Sequence, residues 1–350
     1  MVDRVNFGDY LFANIFYKHL TEEAGQEIYF YEDKKHGISD FLRKDLSYKG
    51  DPAGKEKADG LIYIPGGYFG DTSGSLKDSF VRYKRYFVIG DYFRKKGKPI
   101  YICGVGGGPL VNKHLRKRVV RIMNSASAIC VRDPETKDYF EKNGVTVPIR
   151  VTTDAALLIR NMKLPELDKD IRSRIDSTAG GRKLLFFHIA RNDKLNANIK
   201  EKIVPALNRF LEAHKDEYCT IVGTDQPCEG DITEMEVYKQ IKGVKMPYCF
   251  YDTMQMAALL SSVDCVVTAR LHVGIVSSVY GKCVVSIAGH INKTKRFYKQ
   301  IGEPDRCALL KDVSEDEIVE RMEKYLVRKT SVPDELVKKA SENFESIPLK

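Results

Sequence analysis

No stretch of the sequence approaches the roughly 18 uninterrupted apolar residues of a membrane-spanning helix, so no span is expected. The opening MVDRVNFGDY lacks the basic start, apolar middle and small-residue cleavage site of a secretory signal, and a cytoplasmic location is the expectation. No cysteine pair has the C-x-x-C spacing of a zinc or redox site. Cys103, Cys130, Cys265 and Cys283 each fall inside an apolar run, and the eight cysteines are expected to be reduced core residues. Neither the G-x-G-x-x-G of a dinucleotide site nor the G-x-x-x-x-G-K-[ST] of a Walker loop occurs, which argues against nicotinamide and P-loop chemistry. No cluster of His, Asp and Glu has metal-ligand spacing, so no tightly bound metal is expected. Internal repeats, low-complexity tracts and nucleic-acid-binding signatures are also missing, and nucleic acid is not an expected partner.

What is present begins with length: 350 residues exceed the roughly 250 to 300 at which single cores stop growing. Two domains with a crevice between them follow. Hydrophobic residues at 43% and charged residues at 30% belong to an ordinary globular chain. Lysine and arginine outnumber aspartate and glutamate by 57 to 48, for a formal charge of +9, a field that attracts anions and favours phosphorylated ligands. Two stretches concentrate the charge: one from Arg82 to Lys98, interleaved with tyrosine and phenylalanine, and one from Lys113 to Arg121. They read either as a surface lying on anionic membrane or as solvated helix faces whose stems and aromatic neighbours cover core.

Short apolar runs bounded by Gly, Pro or Asp alternate with helical patterns, the rhythm of parallel sheets with crossover helices. Strands are expected at 28–31, 61–64, 100–103, 128–131 and near 151, and again at 184–189, 219–222, 243–245, 265–268 and 284–287. The polar stretch 161–182, with Pro165 and the Gly180-Gly181 pair, reads as a linker with at most one short helix. The expected organisation is an N-terminal α/β domain over 1–160, a linker over 161–182, a second α/β domain over 183–330 and a C-terminal helix over 331–350. Amphipathic helices near 316–327 and 333–344 are expected to pack back at the junction.

Open α/β sheets bind ligands beyond the carboxyl ends of their strands. After Leu61 to Ile64 comes Pro65-Gly66-Gly67, where glycine allows close backbone approach to a ligand or simply a tight turn. After Ile100 to Cys103 comes Gly104-Val105-Gly106-Gly107-Gly108-Pro109-Leu110, with Pro109 suited to the first turn of a helix whose bare amides attract anions. Next is Val131-Arg132-Asp133, in which Asp133 is placed to cap a helix and Arg132 either binds an anion or pairs with Asp133. In the second half, one strand delivers Arg191 and another delivers Arg270-Leu271-His272 just before a helix near Val273. An arginine fork suits carboxylate or phosphate. His114, His188 and His214 are expected to be structural or exposed, whereas His290, Lys293, Lys295 and Arg296 compete with His272 for the crevice.

Five features in this order resemble the polysaccharide pyruvyl transferase family over most of the chain: Asn6-Phe7-Gly8-Asp9, Gly66-Gly67, the Gly104 to Leu110 loop, Val131-Arg132-Asp133 and Arg270-Leu271-His272. Thr153-Asp154-Ala155-Ala156 is similar to the family's D-P-A segment, with Ala155 in place of proline. The resemblance implies two facing doubly wound (Rossmann-like) α/β domains in the GT-B arrangement. It implies transfer of pyruvate from phosphoenolpyruvate onto a sugar of a cell-envelope or exopolysaccharide precursor as a ketal, with phosphate released and no cofactor beyond that co-substrate. Arg191, Arg270, Leu271 and His272 are carried over as the donor site, with His272, Arg270 and Arg191 catalytic. Asn6, Gly8, Asp9, Gly66, Gly67, Gly106, Gly107 and Arg132 fall on the acceptor side. Asp9 alternatively caps its own helix. The family has a strand directly before N-x-G-D that this chain begins too late to hold, so either the sequence is truncated or the first domain lacks one strand. An unperturbed imidazole titrates near 6.5, so His272 is expected to serve either as proton donor and acceptor or, protonated, as a phosphate ligand. The expected partners are phosphoenolpyruvate, a sugar acceptor carried in one reading on a lipid diphosphate, and in that reading the inner membrane face. Two other readings stay open: a GT-B glycosyltransferase using a nucleotide sugar, and a non-catalytic sugar- or anion-binding module.

Overall fold

Short runs of β-branched and aromatic residues, each flanked by glycine, proline or an acid, assemble into parallel sheets because the intervening segments are helices long enough to cross over. A computed structural model describes residues 6–31, 39–49, 51, 53–71, 73–190, 193–289 and 293–348. The chain forms two compact α/β units. Asp9–Leu158 and the segment from Asp334 onward make the first, and Asn6–Gly8 with Ile159–Pro333 make the second.

In the first unit β1 (Leu61–Tyr63), β2 (Phe69–Asp71), β3 (Ile100–Val105), β4 (Gly107–Leu110), β5 (Ala128–Val131) and β6 (Ile149–Val151) form a sheet of order β1-β3-β5-β6 and a separate β2-β4 pair. Every pairing is parallel. Its core gathers Phe69, Phe87, Ile102, Val119, Ile122 and Phe140. The second unit has β7 (Lys183–His188), β8 (Tyr218–Gly223), β9 (Lys245–Tyr248), β10 (Cys265–Thr268), β11 (Cys283–Ala288) and β12 (Cys307–Leu309), ordered β12-β11-β10-β7-β8-β9. Read from β9, this is the Rossmann order, and the reversal falls between β7 and β10. β7, β8, β10 and β11 are almost entirely buried, as expected for strands covered on both faces.

Several expectations change. Residues 26–31 are described and make no strand, so the strand expected at 28–31 is absent. The Phe30 N–H donates to Tyr48 Oη at 3.1 Å, and the Phe30 ring packs on Tyr17 and Tyr48. The division between units falls at Leu158/Ile159, two residues from the expected end of the first domain at 160, and 161–182 belongs to the second unit. That stretch contains the helix Lys169–Ala179, whose Ile171, Ile175 and Ala179 repeat every four residues on its buried face. Asp168 caps its start and Gly180, at φ 54°, ends it, so its polar residues cover one face of an ordered element. β12, which no expectation covered, lies beside β11.

The helix Asp334–Glu345, expected as a separate terminal element, belongs to the first unit. Asn343 is fully buried there: its Oδ1 accepts from Thr152 Oγ1 at 2.8 Å and its Nδ2 donates to Thr153 O at 3.3 Å. Phe344 stacks on His19 at 3.7 Å and meets Phe16 at 4.8 Å. The cysteine expectation holds for six residues, buried and free, but Cys228 and Cys249 form a disulfide. The loops after the neighbouring strands β8 and β9 bring their Cα atoms to 5.8 Å, a tertiary proximity that 21 residues of separation conceal. Among the described residues no helix is long and apolar enough to cross a membrane.

Replacing Asn343 with Ala removes two buried hydrogen bonds, while the Thr152 hydroxyl keeps Val131 O as an acceptor at 3.2 Å, and is expected to cost about 1 to 2 kcal/mol. Urea unfolding of the variant checks this; an unchanged midpoint would mean that water replaces the amide.

Candidate anion site at the sheet reversal

The neighbours β7 and β10 run parallel, with Phe187 opposite Val267, so the segments leaving their carboxyl ends emerge side by side. β10 ends at Thr268, whose Oγ1 accepts the Arg270 N–H at 2.9 Å and turns the chain sharply into the helix Leu271–Val279. Arg270 is the residue at the helix cap, and no side chain caps that N-terminus. The positive end of the helix dipole is therefore left facing the same space as the arginine. Arg191, expected to join Arg270 from β7, lies outside the described residues, as does His290.

What holds Arg270 is Asp225, two residues past β8 and only 3% exposed. Its Oδ2 lies 3.2 Å from Arg270 Nε, and its Oδ1 is 3.1 Å from Nε2 of the fully buried His188 side chain. The main-chain oxygen of Asp225 accepts the Phe7 N–H at 2.9 Å. Burial by itself would raise the Asp225 carboxyl pKa. The Arg270 charge and the His188 hydrogen bond outweigh it and hold the pKa below the usual carboxylate value. For His188, burial is the larger influence and lowers its pKa despite the facing carboxylate. A neutral His188 donating from Nε2 satisfies both groups. Its Nδ1 has no partner among the described residues.

This arrangement engages Arg270 at Nε through an ion pair that lacks hydrogen-bond alignment. Among the described residues its two Nη groups have no protein partner, and the side chain keeps 23% of its surface exposed. A fork with its inner nitrogen anchored and its outer nitrogens open is prepared for a bidentate anion. His272 follows on the first turn of the helix. A Cβ built on Gly8 would lie 1.8 Å from His272 Nδ1, so the ring rests directly on the Gly8 backbone. Asn6 Oδ1 accepts the Gly8 N–H at 2.9 Å, and the Phe7 ring meets Phe250 edge-on at 6.1 Å. Asn6-Phe7-Gly8 thus joins the second unit against His272, a placement apart from the N-terminal domain where the sequence put it. Asn6, not Asp9, makes the cap-like bond at the start of the helix Phe7–Lys18. Asp9 sits in its first turn and belongs to the first unit, where its charge adds to the burial that holds the Tyr68 hydroxyl protonated.

The remaining predicted residues lie in the first unit, and their polar groups are engaged there. Gly106 N–H donates to Gly66 O at 2.9 Å, and Gly107 N–H donates to Thr136 Oγ1 at 3.0 Å. A Cβ on Gly106 would fall 2.5 Å from Arg132 Nε, and one on Gly107 2.6 Å from the Phe140 ring. These glycines let side chains cross the loop. Pro109 does not open a helix: it lies in β4, and the following helix, Lys113–Met123, is capped by Asn112 Oδ1, which accepts from the His114 and Leu115 amides. Arg132 is 5% exposed and pairs with Asp154 at 3.1 Å more closely than with Asp133 at 3.8 Å. Asp133 caps the helix Pro134–Lys142 through the Thr136 N–H at 2.8 Å. Gly67 follows Gly66 in the turn after β1, and Tyr68 beyond it donates its hydroxyl to Ile64 O at 2.7 Å.

Sequence reasoning missed Asp225 and assigned His188 no part in the site. The signal for Asp225 was an acid just past a strand, in line with the arginines after neighbouring strands, but only the sheet order shows which strand ends are neighbours. Among the described residues no group of three or more His, Cys, Asp or Glu side chains is arranged to hold a metal ion.

A family model described as polysaccharide pyruvyl transferase matches residues 6–290. No curated protein sequence is a significant match. Among solved structures, the Staphylococcus aureus MnaA–UDP co-structure superposes with a TM-score of 0.64 at 13% identity, over 96% of this chain and 88% of that one. A putative UDP-N-acetylglucosamine 2-epimerase from Listeria monocytogenes gives 0.62 at 12% identity, covering 97% and 89%. The UDP-GlcNAc 2-epimerase of Methanocaldococcus jannaschii, in complex with UDP-GlcNAc and UDP, gives 0.61 at 12%, covering 96% and 95%. At such identities the likeness establishes the fold, which is GT-B: two Rossmann-like α/β units.

Two outcomes test the site geometry. Gly8→Ala is expected to cost about 1 to 3 kcal/mol through overpacking and to shift the His272 ring resonances; an unperturbed ring would mean that it does not rest on Gly8. Because the folded pKa of His188 lies below the ordinary 6.5, the unfolded state takes up its proton first, and native stability falls as pH drops below 6.5. Asp225 contributes its own loss only below 3.8, and His214, raised chiefly by its bond to Glu323, gains stability in the acid direction. A His188→Gln variant should therefore lose less stability than the wild type between pH 7.5 and 5, by on the order of 1 kcal/mol; parallel curves would place a charged imidazole in the native state.

Proposed function

The chain belongs to the polysaccharide pyruvyl transferase family, and from that premise we propose that it moves pyruvate from phosphoenolpyruvate to a sugar as a ketal and releases phosphate. The observation that carries this reading is the Arg270 fork, anchored at Nε by Asp225 and open at both Nη groups, beside an uncapped helix N-terminus. Phosphoenolpyruvate presents a carboxylate and a phosphate to such donors.

In the proposed reaction the methylene carbon of phosphoenolpyruvate takes a proton, and positive charge develops at the carbon bearing carboxylate and phosphate ester. A sugar hydroxyl attacks that carbon and gives up its proton. The bond from that carbon to the phosphate oxygen then breaks, phosphate leaves, and a second hydroxyl of the same sugar closes the cyclic ketal with loss of its own proton. His272, on the first helical turn beside Arg270, is assigned the proton transfers. Arg270, with Arg191, neutralises the departing phosphate. Leu271 completes the donor motif carried over from the family. Asn6, Gly8 and Asp9, with the glycine turns and Arg132, are the residues the family resemblance assigns to the acceptor. The reading requires no cofactor or metal, because arginine supplies the positive charge. Its acceptor is a sugar of an envelope polysaccharide precursor, on the cytoplasmic side.

A second reading has support from the solved structures, which carry UDP or UDP-GlcNAc on the same fold: a nucleotide sugar as donor, with its diphosphate on the same helix N-terminus. Isothermal titration with phosphoenolpyruvate and with uridine diphosphate sugars separates the two. Binding of phosphoenolpyruvate, weakened tenfold or more in Arg270→Lys, is expected; Arg270→Lys keeps a charge opposite Asp225 and removes only the fork. Binding of nucleotide sugars alone would overturn the proposal.

A further inference from the structure

Residues 73–121 contain thirteen lysines and arginines and two aspartates, a surplus of eleven, whereas the whole chain has a formal charge of only +9. The first unit gathers this surplus onto neighbouring helices. The segment from Leu76 to Lys95 runs as helix, with one wide turn at Tyr83–Phe87. Arg118 of the helix Lys113–Met123 stacks over the Tyr83 ring at 4.2 Å. The two basic stretches noted in the sequence thereby meet along a cleft of about 450 Å³ lined by Arg94, Lys95, Lys117, Arg118 and Arg121.

The helix Lys113–Met123 has no acidic residue, and its exposed positions are Lys113, His114, Lys117, Arg118 and Arg121. Leu115, Val119, Ile122 and Met123 face the core, so the exposed face is almost wholly cationic. Three acids lie nearby and offset only part of this. Asp71 is buried, with Arg82 Nε 3.9 Å from it and Ser79 Oγ donating to it at 3.3 Å. Asp91 is buried and bound by Tyr83 Oη at 2.6 Å and Arg94 Nε at 3.0 Å, and Asp78 sits in the first turn of its own helix.

A solvated basic face alone would carry no inference, but apolar side chains stand exposed beside this one. Of the six large hydrophobic residues exposed among the described residues, four belong here: Leu76 at 72%, Phe80 at 61%, Val111 at 50% and Val81 at 47%. Leu76 and Phe80 are one helical turn apart, and Lys84 lies over the Phe80 ring at 5.5 Å. A Cβ on Gly74 would fall 2.8 Å from Val111 Cγ1, and Asn112 Nδ2 donates to Gly74 O at 3.4 Å, which sets Val111 beside the start of that helix. Apolar residues that leave water for the headgroup boundary, ringed by cations that meet lipid phosphate, have the chemistry of an interfacial membrane anchor. A nucleic-acid surface would use the cations and leave the aliphatic tips without a partner.

We propose that this face of the first unit, centred on Leu76, Phe80 and Val111 and bordered by the basic helix Lys113–Met123, docks the protein on an anionic lipid bilayer. The docking is independent of donor chemistry. A protein held there would meet acceptors carried on lipid and leave soluble ones to diffusion.

Co-sedimentation of the full chain with phosphatidylglycerol-rich and with pure phosphatidylcholine vesicles tests the proposal. Binding to the anionic vesicles only, weakening as salt is raised, is expected. Each cation at such a surface multiplies affinity roughly fivefold, so Lys113→Gln, Lys117→Gln and Arg121→Gln together should reduce it on the order of a hundredfold. Leu76→Ser with Phe80→Ser should reduce it at least roughly tenfold at unchanged charge. All five positions are exposed, so the circular dichroism and unfolding midpoint of both variants should match the wild type. Full vesicle affinity in either variant, or equal binding to neutral vesicles, overturns the proposal. A variant pair in which only the charge change matters, for vesicles and for an RNA oligonucleotide alike, replaces it with a general polyanion surface. Phosphoenolpyruvate titration of the same variants should match the wild type; absence of that binding throughout would speak against the donor assignment and leave the vesicle result standing.

Discussion

The second unit is organised around one buried carboxylate. Asp225 is a costly group to place in a low-dielectric interior, and it remains ionised because Arg270 and His188 each reach one of its oxygens. Three parallel strands are tied by this requirement: β7 ends in His188, β8 leads to Asp225 and β10 leads to Arg270. Removing any one member would strand a polar group in the interior, which is the condition under which a buried ion pair becomes indispensable even when its net contribution to stability is small. The same carboxylate pairs with Arg270 at its inner nitrogen, and among the described residues the outer two have no protein partner. One interaction thus ties the fold to the arginine on which the proposed donor site rests. The Asp225 main-chain oxygen also binds the Phe7 N–H, which brings Asn6-Phe7-Gly8 to the His272 ring.

The two units treat arginine and glycine differently. In the second, an arginine is held by one nitrogen at an open helix end. In the first, Arg132 is enclosed between Asp154 and Asp133, and the nearby glycines are needed because Arg132 and Phe140 pass within 3 Å of where their Cβ atoms would be. Glycine-rich loops after strands therefore do not report ligand contact by themselves. Packing imposes the same requirement for a missing side chain. The charge that makes the chain basic is likewise unevenly distributed, with its densest part on the helices of the first unit.

Much of this was legible in the sequence. β10 falls where the apolar periodicity put it, and the other strands of the second sheet, apart from β12, lie within a few residues of their expected places, because fully buried parallel strands are short apolar runs that little else resembles. The segment 28–31 has the same composition without the same outcome. Its aromatic rings found partners in Tyr17 and Tyr48, and side-chain packing replaced a ladder. The stretch 161–182 looked polar enough for a linker, yet its apolar residues at every fourth position suffice for one buried helical face.

The sequence by itself determined the class of the fold, the positions of most strands, the arginine and histidine at the start of the late helix, and the family to which the chain belongs. Those are local properties: periodicity, capping and motif spacing depend on neighbours a few residues apart. The tertiary structure decided which strand ends adjoin, and with that the assembly of His188, Asp225 and Arg270, separated by 37 and 45 positions. It also decided that Asn6-Phe7-Gly8 joins the second unit, that Cys228 meets Cys249, and that two basic stretches share one surface with exposed leucine and phenylalanine. Strand order creates these proximities, and it is set by the burial of whole sheets between helices, a condition on the entire chain that no short window of sequence contains.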